Sequence, residues 1–231
     1  MITINKLGHS FNAREDRHIS FWKLVDDNQW EQNTFIEFKN YIKPNSVYID
    51  IGAWIGPTVL FASKLTNNKC YALEPDNDAF SYLKGNIEIN NSDIEIDKLA
   101  IMDYEGEVNL GVLDYGRGDS MSSVLSENNP DNLKVKCTTL KKYLEAKQIN
   151  RVDFIKIDVE GAESIILPNI KDLIVSLGKP YIHLSIHQRY FKNRNEDIEK
   201  ILDFASLYDI TEDDIHSIKN SDMSDILLKR K

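Results

Sequence analysis

The run VYIDIGAWIG at residues 47–56 sets the architecture. Its first five residues are β-rich and apolar apart from Asp50, and the turn signal Lys43-Pro44-Asn45 before them ends a helix-like stretch over residues 33–42. A loop bounded by Gly52 and Gly56 follows, and residues 58–65 then read as a helix. Strand, tight glycine turn and helix in that order open a βαβ unit.

The same alternation continues toward the C-terminus. Residues 69–73 form a strand ending at Glu74-Pro75, and Asp76 caps a helix reaching about residue 90. A third strand is expected over residues 94–101, and shorter strands over 106–113 and 134–138. Between the short strands, residues 114–133 are rich in Gly, Ser, Asn and Asp, which predicts a loop that can close as a lid and carries Arg117. A helix at 140–147, apolar strands at 152–157 and 181–186, a helix at 195–208 and an antiparallel edge strand at 225–229 complete the reading. The expectation is a doubly wound α/β sheet of about seven mostly parallel strands. Residues 1–42, with Phe21, Trp22, Trp30 and Phe35, are expected to form a helical cover, and residues 43–231 the ligand-binding catalytic part of a single structural domain.

Composition narrows the function. The chain has 231 residues, of which 42% are hydrophobic and 28% charged, an ordinary globular balance. With 37 acidic and 28 basic side chains the formal net charge is −9, which opposes a nucleic-acid partner. Cys70 and Cys137 lie in apolar, strand-like surroundings with no metal-ligand spacing, so both are expected to be buried and reduced. The first sixteen residues contain no apolar signal core and no long apolar run follows, so a cytoplasmic protein without membrane insertion is expected.

In open α/β sheets the ligand sits beyond the carboxyl ends of the strands, next to the first of them. There Gly52 and Gly56 let the backbone turn tightly and approach a ligand, and Ala53 keeps the bend narrow. Asp50, two residues before Gly52, repels a pyrophosphate and favours a cationic head such as that of S-adenosylmethionine. Glu74 closes the second strand where a carboxylate can accept both ribose hydroxyl protons.

These stretches, with ALEPD at residues 72–76 and FIKIDVEGAE at 154–163, resemble the FkbM-type methyltransferases, a branch of the class I S-adenosylmethionine-dependent enzymes. Trp30-Glu31, residues 100–103 with Gly106-Glu107, and the serine-rich residues 119–123 add to the likeness, which extends over residues 30–167. Trp54 and Pro57 depart from the family pattern. The resemblance implies a Rossmann-like sheet and S-adenosylmethionine as cofactor. It places Glu31, Asp50, Gly52, Ala53, Gly56, Glu74, Pro75, Asp76, Ala100 and Asp158 around that cofactor, with Asp76 and Ala100 bordering the adenine.

Methyl transfer from a sulfonium needs alignment, plus a base when the acceptor is a hydroxyl. Asp158 ends its strand beside the first one, Glu160 follows in a sharp Asp-Val-Glu-Gly turn, and both can face the cleft. Glu160 can alternatively cap the helix that begins near Ala162. His183 and His187 share one strand face, and His187, nearer the carboxyl end, is the better base. Asp158, Glu160 and His187 are the catalytic candidates, and His187 with Asp158 and Glu160, Asp158 and His187 foremost, can also ligate a divalent ion that acidifies the acceptor hydroxyl. The expected activity is O-methylation of a sugar, glycan or natural-product hydroxyl. A non-catalytic S-adenosylmethionine-binding module is the competing reading, and a nicotinamide-dependent oxidoreductase, which Asp50 opposes, is a third.

Overall fold

The computed structural model describes residues 1–111, 123 and 133–231. The chain opens with a hairpin, β1 (Ile2–Lys6) and β2 (His9–Ala13), followed by helices α1 (Ile19–Asp26) and α2 (Gln32–Tyr41). The segment expected to be a helical cover therefore begins with two strands. Their alternation puts Ile4 and Phe11 inward, and Leu7 and Gly8 both take positive φ in the two-residue turn. Lys6 also turns inward, where its ammonium donates to the Val25 carbonyl at 2.8 Å and sits 4.5 Å from the centre of the Phe35 ring.

Next come β3 (Tyr48–Ile51), α3 (Pro57–Ala62), β4 (Cys70–Leu73), α4 (Asn77–Glu88) and β5 (Ile94–Asp97). Then follow β6 (Ala100–Ile101), β7 (Gly106–Leu110), β8 (Leu133–Thr138), α5 (Leu140–Ala146) and β9 (Phe154–Ile157). The chain ends with α6 (Glu163–Ser176), β10 (Tyr181–His187), α7 (Arg194–Ala205), α8 (Glu212–Asn220) and β11 (Met223–Leu228).

The main sheet has six strands rather than seven, in the order β11-β10-β9-β3-β4-β5. Five are parallel, and β11 pairs antiparallel with β10 at the edge. The strand expected over residues 94–101 is two strands. β5 stays in the main sheet, while β6 pairs with β8 in a separate three-stranded sheet, β6-β8-β7. The break falls where Asp97 is tied to α5, its carboxylate 2.8 Å from the Lys147 ammonium and accepting from the Tyr143 hydroxyl. The expected lid with Arg117 and the serine-rich segment lies outside the described residues, Ser123 excepted. Among the described residues no helix is long and apolar enough to cross a membrane. Cys70 and Cys137 are free and buried, and burial pushes the Cys70 thiol up to about 12.

Period-two alternation divides the core. Ile49, Ile51, Ile155, Ile157, Ile182 and Leu184 pack with α5, α6 and α7, whereas Tyr48, Cys70, Ala72 and Phe154 pack with the hairpin, α1, α2 and α3. A parallel sheet covered on both faces is expected to be apolar throughout. Here the second face carries a polar stripe toward the carboxyl ends. Asp50 stands opposite Lys156, Lys156 opposite His183, and Ser185 opposite Asp225.

Candidate active site

The stripe runs to the switch point of the sheet, where the chain leaves β3 for β4 and later returns to its other side as β9. A cleft of about 330 Å³ opens there, between the carboxyl ends of the strands and the aromatic side chains of Phe21, Trp30 and Trp54. Its floor is the exit of β3. Gly52, at φ +83, lies so close to β9 that an added Cβ would stand 1.7 Å from the Asp158 carbonyl oxygen. Trp54 follows in a left-handed conformation at φ 49, and its ring packs edge-on against Phe21 at 4.5 Å. The departure at residue 54 thus ties the glycine loop to the N-terminal layer.

Beneath the loop lies Lys156, which sequence reading passed over. Its ammonium bonds Asp158 Oδ2 at 2.9 Å and stands 3.7 Å from Asp50 Oδ1. Burial opposes its charge, yet Asp158, Asp50 and Glu31 outweigh that and push its pKa up. Asp50 is fully buried and does not line the cleft. Its Oδ2 accepts from Tyr48 and Thr58 while its Oδ1 has no hydrogen-bond partner, and burial, opposed by Lys156, raises its pKa. Glu31 does line the cleft, from a left-handed position at φ 39 just before α2. Its Oε2 is also unpartnered, and burial pushes its carboxyl up to about 7. One buried cation therefore faces three buried or half-buried carboxyl groups, which leaves the cleft receptive to positive charge.

Glu74 lines the opposite side. Its two carboxylate oxygens accept the backbone N–H groups of Trp54 and Asp76, both at 2.8 Å, and burial pushes it up to about 7. Pro75, Ala53 and Ala100 line the cleft beside it. Asp76 does not. Its Oδ1 accepts from the N–H groups of Asp78 and Ala79 and so caps α4. Asp76→Ala is expected to lower stability by about 1 kcal/mol, read by urea denaturation, and an unchanged midpoint would refute the capping role. Gly56 also stands away from the cleft: it turns the chain at φ +96 into α3 and lies against Leu83.

Asp158, Glu160 and His187 come together in the cleft wall. His187 Nε2 is 3.8 Å from Asp158 Oδ1 and 3.5 Å from Glu160 Oε1. Glu160 sits at φ 51 in its turn, directs its carboxyl into the cleft and does not cap α6, whose N-cap Ala162 has no side-chain cap. Burial raises its pKa to about 7 against the pull of His187. Behind His187, the fully buried Glu163 holds Nδ1 at 3.2 Å and also accepts from the N–H groups of Val159 and Gly161. Burial disfavours the imidazolium, but Glu163, Asp158 and Glu160 outweigh it and push the pKa up to about 9. These carboxylates favour the imidazolium form of the unliganded side chain. Asp158 is held below the usual carboxylate range because Lys156 and His187 overcome its burial.

His183 is not part of this group. Its Nδ1 contacts Glu37 at 2.9 Å and its Nε2 faces Thr34, both on α2. Ser185, Arg189 and Asp225 line the cleft without having been singled out in sequence. A polar residue interrupting an apolar strand, as Lys156 and Ser185 do, was the available signal.

The architecture has solved counterparts. An rRNA methylase from Streptococcus thermophilus superposes with a TM-score of 0.50 at 10% identity, over 87% of this chain and 96% of that one. Looser similarity links it to a precorrin 8w decarboxylase from Methanobacterium thermoautotrophicum, at TM-score 0.45 and 14% identity over 78% and 73% of the two chains. Aeropyrum pernix fibrillarin, solved with natively bound S-adenosyl-L-methionine, gives 0.44 and 11% over 78% and 69%. No protein of curated function matches the chain. The fold and the cleft beyond its switch point define a Rossmann-like α/β protein. A family model matches residues 50–209, and the chain belongs to the FkbM methyltransferase domain family. S-adenosylmethionine is the cofactor that this membership supports.

Proposed function

We propose that the protein transfers the methyl group of S-adenosylmethionine to a hydroxyl oxygen of a sugar, glycan or natural-product acceptor. The observation that carries the reading is the convergence of Asp158, Glu160 and His187 in the cleft that Gly52 and Glu74 also line. The residues present fit the cofactor. The unpartnered carboxylate oxygen of Glu31 leaves negative charge for an ammonium and a sulfonium, and Glu74 offers a carboxylate for ribose hydroxyls. Because Asp50 is walled off from the cleft, Glu31 and Asp158 take the direct role and Asp50 acts through Lys156.

Bound in the cleft, S-adenosylmethionine supplies an electrophilic methyl group. The protein holds the acceptor in line with it and excludes water beneath Phe21, Trp30 and Trp54. Asp158 and Glu160 accept the hydrogen bond, and then the proton, of the acceptor hydroxyl, while His187 orients them. The net charge of −9 and the surplus of carboxylates favour a neutral small molecule or glycan over a nucleic acid.

Calorimetric titration with S-adenosylmethionine, with NAD as control, tests the reading. Binding of S-adenosylmethionine alone is expected, and preference for NAD would overturn it. Binding with no transfer to any sugar or natural-product hydroxyl would favour the non-catalytic module. Affinity is also expected to depend on pH. Glu74 is ionised above about 7 and hydroxyls donate to the ionised form, so affinity falls as pH drops through that value, by up to about tenfold per unit. Glu74→Gln should flatten this dependence, and a variant that keeps the full slope would exclude Glu74 as its source.

A further inference from the structure

We infer that Asp158, Glu160 and His187 form a binding site for one divalent transition-metal cation of the manganese type. Each of the three residues offers one ligand atom within 4.8 Å of the other two, and His187 Nε2 faces both Asp158 Oδ1 and Glu160 Oε1. None of these three atoms makes a hydrogen bond among the described residues, although His187 and Glu160 are 4% and 8% exposed. Two ligands at about 2.1 Å from one ion are separated by about 3.0–3.4 Å at octahedral to tetrahedral angles. The observed 3.5 and 3.8 Å need only a slight contraction.

The surroundings are those of a prepared ligand set. The other oxygen of each carboxylate is held by a cation, Asp158 Oδ2 by Lys156 at 2.9 Å and Glu160 Oε2 by Arg189 at 3.4 Å. Each carboxylate thus turns one free oxygen inward. Glu163 fixes the imidazole through Nδ1 and so aims Nε2 at the same point, the carboxylate–histidine arrangement that orients metal ligands. An imidazole with two carboxylates selects a first-row divalent ion over calcium. Three protein ligands on one side leave the remaining positions open to the cleft, where an acceptor with two adjacent oxygens can chelate. What the cation does there, lowering the pKa of an acceptor hydroxyl, rests on the methyltransferase reading, but its binding does not.

Titration of the chelator-treated protein with Mn²⁺, followed by the electron paramagnetic resonance signal of the free ion, tests the site. One bound ion per chain is expected, with a rise in melting temperature. Glu160→Gln and His187→Gln should each weaken binding by at least about tenfold. Should His187→Gln fail to fold, Glu160→Gln carries the test alone. No bound ion at millimolar Mn²⁺, or equal binding by wild type and Glu160→Gln, would overturn the site. S-adenosylmethionine binding, measured separately by calorimetry without metal, keeps a failure of this site distinct from a failure of the methyltransferase reading.

Discussion

Replacing Lys156 with methionine is expected to destabilise the protein by about 3–5 kcal/mol, lowering the melting temperature by on the order of 10 °C. The methionine fills similar volume, so the loss is electrostatic. Asp50 and Asp158, 3.7 and 2.9 Å from the ammonium, would keep their burial and lose their counter-charge. The sign with pH follows. Lys156 pulls the pKa of Asp50 and Asp158 down, so removing it raises both in the folded state. A carboxyl raised on folding costs stability while it is ionised, and that cost disappears as it protonates. The deficit relative to wild type should therefore shrink as pH falls toward the ordinary carboxylate range, and Lys156→Met with Asp50→Asn should be less destabilised than Lys156→Met alone. A deficit independent of pH in chemical denaturation would refute this account.

Gly52→Ala is expected to abolish useful cofactor binding, by about a hundredfold or more in calorimetry, and to cost several kcal/mol of stability. The new Cβ would stand 1.7 Å from the backbone oxygen of Asp158, which no rotamer change relieves, and φ +83 adds the left-handed penalty. Relief requires β3 and β9 to part at the cleft floor. Gly8 is the control: its φ is +88, but nothing lies within 4 Å of its added Cβ. Gly8→Ala should cost only about 1–2 kcal/mol. Equal losses at the two positions would show that backbone conformation, not the strand contact, governs Gly52.

Much of the fold was legible because its strands are short apolar runs closed by Gly, Glu-Pro or Asp, as at Gly52, Glu74-Pro75 and Asp158. The opening hairpin was less legible. Its turn is Leu7-Gly8 rather than an Asn-Gly pair, and a lysine, Lys6, occupies one of its inward positions. The split at residues 98–99 is also hidden, since Ile94, Ile96 and Ile101 look like one continuous strand and only the partner β8 separates them. Around the cleft, motif spacing identified Gly52, Glu74 and Asp158 because each ends a strand. It could not show that Asp50 points inward, that Asp76 spends its oxygen on α4, or that Glu163 stands behind His187, since these depend on contacts between distant elements.

The position of Lys156 in the sheet also governs when the protein can become a finished molecule. Lys156 and Gly52 touch across 104 residues of chain. During synthesis β3, β4 and β5 can pair as they emerge, but Asp50 stays without its cation until β9 has been made and docks beside β3. His187 and Asp225 arrive later still, on β10 and β11. The central strand of the sheet is thus among the first made and the last to be neutralised, so a nascent chain halted before β9 holds a half-sheet with a bare carboxylate at its open edge.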